Sequence, residues 1–257
     1  MNPSPTRDFA LFVADYAAAL LGCGATCIRI TKNVERIALA SGFEVQLVVM
    51  PQNVHLSVRD PKADTTFSTL RRIRKMPISF DINTRLSKLS WDIADGRISL
   101  ADAQTEYAKI LETPPANPWL VLVLASAANM AFCRLFGGDG VAMLVVFLAT
   151  LVGYRLKQIL LRMKVDVRVV FFLSAFASSV FGAGAHLFHW GTTPEIAIGT
   201  SVLYLIPGIP YINSISDMLD GHYLSAYARF IDAMLLTVSL SAGLCGGMLL
   251  MGLKWLS

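Results

Sequence analysis

Charge is scarce in the second half of this 257-residue chain. Of its 22 Lys and Arg, 14 lie at or before residue 112, and so do 12 of its 18 Asp and Glu. A soluble enzyme spreads charge over its whole surface, so this division argues against one. Cysteine and histidine are also few, four of each. Cys23 and Cys27 stand one helical turn apart, while Cys133 and Cys245 fall inside apolar runs, so neither a disulfide framework nor a metal site is expected. There is no Gly-x-Ser-x-Gly elbow, no His-Glu-x-x-His and no glycine-rich phosphate loop. Ser214 and Ser216 near Asp217 have only His222 as a candidate base. An intramembrane hydrolase is therefore the weakest reading, and no cofactor is expected. A net charge of +4 is too modest to suggest nucleic acid.

What is present is apolar length. Mean hydropathy is +0.56 and 54% of residues are apolar. The boundary is the joint Thr113-Pro114-Pro115-Ala116-Asn117-Pro118. After it, five apolar stretches run approximately over 119–136, 140–161, 169–190, 194–213 and 230–256. A bilayer core of ~30 Å needs ~20 helical residues, so each is read as a span. Arg155 and Lys157 interrupt the second and can snorkel at its end. The expected architecture is an α-helical integral membrane protein with five transmembrane helices, preceded by a small α+β cytoplasmic domain. The expected boundaries are 1–112 for that domain, 113–118 for the joint and 119–257 for the membrane domain.

Basic residues set the expected orientation. Arg59, Lys62, Arg71, Arg72, Arg74, Lys75, Arg85 and Lys88 precede the first span, and Arg162, Lys164 and Arg168 lie between the second and third. On the other side only Arg134 and Lys254 come near. The N-terminal domain is thus expected in the cytoplasm and the C-terminus outside. The opening residues, with Asp15 inside an apolar run, suit an amphipathic helix better than a signal sequence.

Within 1–112, periodicity predicts a helix over about 10–21 and a second over 26–40 with Gly42 as its C-cap. Alternation predicts a hairpin from 43–49 and 54–58, then a third strand over 66–73. Two more helices fit 83–94 and 100–111, the latter capped by Ser99 with Asp102 in its first turn.

Several residues draw attention on chemistry alone. Pro207-Gly208-Ile209-Pro210 removes two backbone donors late in the fourth span and invites a break, which lipid tolerates only where protein or water covers it. Open N–H groups after such a break attract a carboxylate. Asn213, Asp217 and Arg229 would complete a polar cluster, with Arg229 as the anion partner. Alternatively, the prolines simply end the span and Asp217 and Asp220 lie in a solvated loop. Asp232, three residues past Arg229, is either its ion-pair partner or a proton-coupling carboxylate. Asn129 suits a bond to a neighbouring helix. Arg134 and Asp139 bracket the first outer turn and are expected to pair, with Asp139 a second candidate for proton coupling. His186 and His189 lie near the outer surface. Ala175, Ser179 and Ala183, and Ser239, Gly243 and Gly247, form small-residue stripes suited to close helix approach, within the chain or with other subunits.

Gly24-Ala25-Thr26-Cys27-Ile28-Arg29, then Glu35-Arg36-Ile37-Ala38 and Gly42, resembles the opening motif of the threonine/serine exporter family. Asp95-Gly96-Arg97-Ile98-Ser99 and Leu135-Phe136-Gly137-Gly138 continue the likeness. Pro207-Gly208-Ile209-Pro210 with Asn213, Asp217, Gly221, Ser225 and Arg229 is its most specific part. The likeness is to the larger subunit of the split form (YjjP type), whose second membrane half is a separate small all-membrane protein (YjjB type). It implies export of succinate or of threonine and serine across a bacterial inner membrane, in a homo- or hetero-oligomer. A membrane sensor or scaffold whose cytoplasmic domain binds a ligand, in a pocket around Arg29, is the alternative.

Overall fold

The computed structural model describes residues 5–74, 76–188 and 190–252; Lys75, His189 and Lys254 lie outside them. The chain divides into two compact units, Met1–Pro114 with Ile209–Ile231, and Pro115–Gly208 with Asp232–Ser257.

In the first unit, helix α1 (Pro5–Gly22) is buried around most of its circumference rather than along one stripe. Phe9, Val13, Tyr16, Ala17 and Leu20 are at most 1% exposed, which makes α1 the centre of the core. Its Tyr16 hydroxyl donates to the Leu86 carbonyl at 2.8 Å. Helix α2 (Cys27–Ser41) buries Ile30, Val34, Ile37 and Ala38, the expected 3.6-residue stripe, and stops at Gly42 in the left-handed conformation (φ 76°). Strands β1 (Glu44–Val49), β2 (Asn53–Asp60) and β3 (Thr65–Arg72) form an antiparallel sheet in chain order. Val45 pairs with Val58, Leu47 with Leu56 and Val58 with Phe67, so the apolar side chains share one face towards the core. Helix α3 (Phe80–Ala94) starts three residues before the expected position because Ser79 caps it, accepting from the Ile82 N–H. A polar seam joins α2 and α3. Asn33 reaches Ser87, while Arg36 bonds Asn33 and Ser90 and stacks 3.7 Å over the Trp91 ring. Helix α4 (Leu100–Leu111) is capped by Ser99 as expected.

In the second unit lie α5 (Pro118–Leu135), α6 (Gly140–Arg162), α7 (Val167–Leu187) and α8 (Pro194–Thr200), the last followed by a 3-10 turn at Leu203–Leu205. Helix α9 (Gly208–Leu219) follows the break, and α10 (Tyr223–Leu250) begins seven residues before the expected fifth span. Among the described residues four helices, α5, α6, α7 and α10, are long and apolar enough to cross a membrane, or up to five if the broken pair Pro194–Leu205 and Gly208–Leu219 counts as one. The fourth apolar stretch is thus a set of short helices, not one continuous span. Pro207 lacks an N–H and disfavours a helical residue before it, so the ladder stops at Leu205.

Polar residues inside this unit are used for helix contact. Asn129 donates to Thr150 at 2.6 Å and to the Thr200 carbonyl at 3.0 Å, joining α5, α6 and α8. The two small-residue stripes meet each other. A Cβ on Gly243 would strike the Phe172 carbonyl and approach Ala175, and one on Gly247 would strike Ser179. Arg134 does not pair with Asp139; it donates to the Gly138 carbonyl at 3.2 Å. Asp139 is occupied otherwise, capping α6 through the Ala142 N–H at 2.7 Å and accepting from the Thr192 N–H and hydroxyl. These bonds, that from Ala142 foremost, lower its pKa to about 2.

Candidate functional site

The site is built on the turn between α1 and α2. Gly24 sits at φ +94° with Ile78 side-chain atoms 3.2 Å from where a Cβ would be, a position open only to glycine. The turn leaves the carbonyls of Gly24 and Ala25 and the N–H of Cys27 unpaired within their own helices. Thr26, the N-cap of α2, makes no side-chain cap bond. A helix start of this kind carries open N–H groups and partial positive charge.

Those three backbone groups are satisfied by side chains 189 to 204 residues later. Asn213 Nδ2 donates to the Gly24 carbonyl at 2.8 Å, and Arg229 Nη2 to the Ala25 carbonyl at 2.8 Å. The Cys27 N–H donates to Asp217 Oδ1 at 2.7 Å. Arg229 Nε lies 3.4 Å from Asp217 Oδ2, an oxygen that is fully buried and accepts no hydrogen bond from the described residues. Asp217 therefore caps α2 from α9, and Arg229 neutralises it from α10. The spacing brings this about: Asn213 and Asp217 are four residues apart and share one face of α9. The turn at 220–222 then reverses the chain into α10, with the His222 N–H on the Asp217 carbonyl at 2.8 Å. Ser214 ties the two helices, donating to the Ala226 carbonyl at 2.7 Å, and Tyr211 packs edge-on to Phe230. Ser225 donates to the Val49 carbonyl at the end of β1.

Of the six substrate-binding candidates, the structure brings Asn213, Asp217 and Arg229 into one cluster. Pro207, Gly208 and Pro210 form the break and first turn of α9, where a missing N–H costs little. Asp217 is in a helix and 0% exposed, so it does not lie in a solvated loop, whereas Asp220 is exposed in the turn after α9. Asp232 and Asp139 belong to the other unit. Gly24, Ala25 and Cys27 act through main-chain atoms, which side-chain chemistry gave no means of finding. The Cys27 thiol, buried and close to the Asp217 charge, is pushed up to about 12, and burial raises Cys23 to about 11. Among the described residues no three His, Cys, Asp or Glu gather as a metal site.

The first unit also has an open cleft of about 980 Å³, lined by Asp15, Arg71, Arg72, Arg74, Tyr107 and Leu111 among others. Arg71 Nε lies 2.7 Å from Asp15 Oδ1 there. Arg29, the expected centre of a ligand pocket, instead bonds Asn83 at 3.3 Å.

No solved structure matches the chain. It is 33% identical over 137 residues to a "Probable succinate transporter subunit YjjP" of Klebsiella aerogenes, covering 53% of each chain. The protein of the same description from Escherichia coli K12 is 32% identical, over 53% of this chain and 54% of that one. A "Probable threonine/serine exporter" of Mycobacterium tuberculosis is 25% identical over 184 residues, 68% of this chain and 33% of its own length. The chain thus spans about half the length, or less, of the curated relatives it matches. The model of the family described as "Putative threonine/serine exporter" matches residues 11–251, from within α1 to the residue after α10, and the chain belongs to that threonine/serine exporter family.

Proposed function

We propose that the chain is the larger subunit of an inner-membrane secondary exporter for small carboxylate-bearing metabolites, succinate or threonine and serine. It works with a small all-membrane partner subunit. Family membership over 11–251 carries this reading, and relatives described as transporter subunits support the need for a partner. The excess of Lys and Arg before the first span and in the loop before α7 supports a cytoplasmic N-terminal unit and an external C-terminus.

In this reading Asn213, Asp217 and Arg229, with the broken backbone at Pro207, Gly208 and Pro210, form the substrate site, and the observed clasp is its closed state. Asp217 stands where a metabolite carboxylate would sit, between the start of α2 and the Arg229 guanidinium. Both are groups that bind carboxylates. The 3.4 Å separation and the unbonded Oδ2 support an ion pair that a substrate can replace. The candidates for proton coupling are Asp232 and Asp139.

The test is efflux of preloaded labelled succinate and threonine from cells with and without this chain and a small partner. Efflux of one compound only when both chains are present is the expected result. No efflux, with both chains verified in the membrane, refutes the exporter reading. Arg229→Ala and Asp217→Asn are expected to abolish export while leaving insertion intact; full export by both refutes the site.

The arginine-lined cleft favours a second reading, a sensor whose first unit binds an anion. Dicarboxylate binding lost in Arg71→Ala, with no efflux by the wild type, would support it.

A further inference from the structure

Two basic residues of α6 have different surroundings. Arg155 lies 4.2 Å from the Trp119 ring centroid and donates to Gln158, which in turn donates to the Pro118 carbonyl at 2.8 Å. Trp and Arg beside the start of α5 make the grouping expected at a membrane interface. Two residues further is a rotation of ~200° around the helix. Lys157 accordingly faces another way, with its Nζ 5.1 Å from the centroid of Phe171 on α7 and 5.4 Å from that of Tyr154. No carboxylate among the described residues forms an ion pair with it.

The contacts continue inwards. The Tyr154 ring centroid is 5.7 Å from that of Tyr204 in the 3-10 turn after α8. Tyr204 and Ser178 share a hydrogen bond of 3.0 Å, and Ser178 also reaches the Ala149 carbonyl. One turn earlier on α7, the Ser174 hydroxyl is fully buried and has no hydrogen-bond partner among the described residues. Gly153 makes room for these hydroxyls, since a Cβ there would overlap both Ser178 Oγ and Tyr204 Oη. Lys157 lies near the same end of α6 as Arg155, its cation held against two aromatic rings, and a buried hydroxyl without a partner is unfavourable. Here the two border one connected set of side chains within one unit.

We propose that Lys157 is the carboxylate anchor of a substrate site inside the membrane unit, with the hydroxyls of Ser174, Ser178 and Tyr204 binding the polar remainder of the same molecule. A lone ammonium matches a single carboxylate, whereas a phosphate dianion would leave negative charge uncompensated. Hydroxyls both donate and accept, so they suit a second carboxyl or a hydroxyl group equally. The proposal rests on the reading that the cargo bears a carboxylate, and it adds a site separate from Arg229.

The experiment titrates succinate and threonine into the purified full chain by calorimetry, with efflux measured in parallel on the same variants. Wild type should bind one of the two. Lys157→Met should bind it at least about ten-fold more weakly, with a melting temperature close to wild type because no ion pair among the described residues is lost and the methionine keeps the apolar stem. Lys157→Arg should retain part of the affinity. Binding by Lys157→Met within about two-fold of wild type would overturn the anchor and leave the exporter reading standing. So would wild-type efflux without any binding by the chain alone. Loss of binding that tracks a lowered melting temperature in both lysine variants would make Lys157 structural and overturn the site. Neither binding nor efflux of either compound by wild type would overturn the exporter reading and this site together.

Discussion

Replacing Arg229 by alanine removes the counter-charge of a carboxylate that is 0% exposed, and the hydrogen bond to the Ala25 carbonyl with it. Breaking a buried ion pair from one side costs ~3–5 kcal/mol, because the remaining charge is left unpaired. The Arg229 side chain is 19% exposed, so some screening applies and the lower end, ~3 kcal/mol, is the better figure. At roughly 2–4 °C per kcal/mol for a unit of this size, the melting temperature should fall by ~6–12 °C. Asp217→Asn should cost less, ~1 kcal/mol, because the amide oxygen still accepts from the Cys27 N–H and Arg229 keeps some access to water. The two changes together should recover ~2 kcal/mol relative to the sum of the single variants, the coupling expected of residues in direct contact. Thermal unfolding of the purified full chain, wild type against both single variants and the double, measures all three quantities. A loss below ~0.5 kcal/mol in Arg229→Ala, or strict additivity, would refute the ion-pair account.

The thiols of Cys23 and Cys27 and the Tyr107 hydroxyl hold their protons more tightly when folded, at about 11, 12 and 12 against ordinary values of 9.0, 9.0 and 10.0. Their contribution to stability is complete below pH ~9 and is lost as pH rises through the folded values. The melting temperature should therefore fall above pH ~9, less so in Cys27→Ala; identical profiles would contradict this. Asp139 shifts the other way, from 3.8 to about 2, so its contribution is present above the ordinary value and lost as pH falls through the folded one. Asp139→Asn should flatten the acid limb of the same melting profile. Gly243→Leu should lower thermal stability by ~1–3 kcal/mol through the clash with the Phe172 carbonyl, and an unchanged melt would deny that α7 and α10 pack as described. The Pro207→Ala, Pro210→Ala double variant should lose efflux through a straightened helix; wild-type efflux would show that the break is not needed.

The local elements could be read from the sequence because they rest on neighbours. The Ser99 cap, the Gly42 stop, the hairpin around Pro51-Gln52-Asn53 and the starts of α5 and α6 are all decided within a few residues. The α1 surroundings could not be read that way, since a helix buried on several sides lacks the single apolar stripe that periodicity detects. The polar triad was identifiable as chemistry, because Asp and Arg at the edge of an apolar run need a partner. Its partners were not, since Gly24, Ala25 and Cys27 offer main-chain groups that every residue possesses. Lys157 and Arg155 look alike in sequence, and only the neighbours of their side chains separate them.

The cap on α2 comes from a residue 190 positions later, and this has a consequence for synthesis. The ribosome releases residues 1–114 early, yet the segment that completes their unit is 209–231. At ~5–20 residues per second, the intervening stretch takes on the order of 5–20 s to make. Through that interval the nascent first unit lacks the Asp217 cap on α2 and the Ser225 bond to β1. A ribosome-bound chain stalled before residue 209 should therefore be cut readily by protease near the α1–α2 turn. One released past residue 231 should resist, so the two stalling positions give a direct clock for when the first unit is finished.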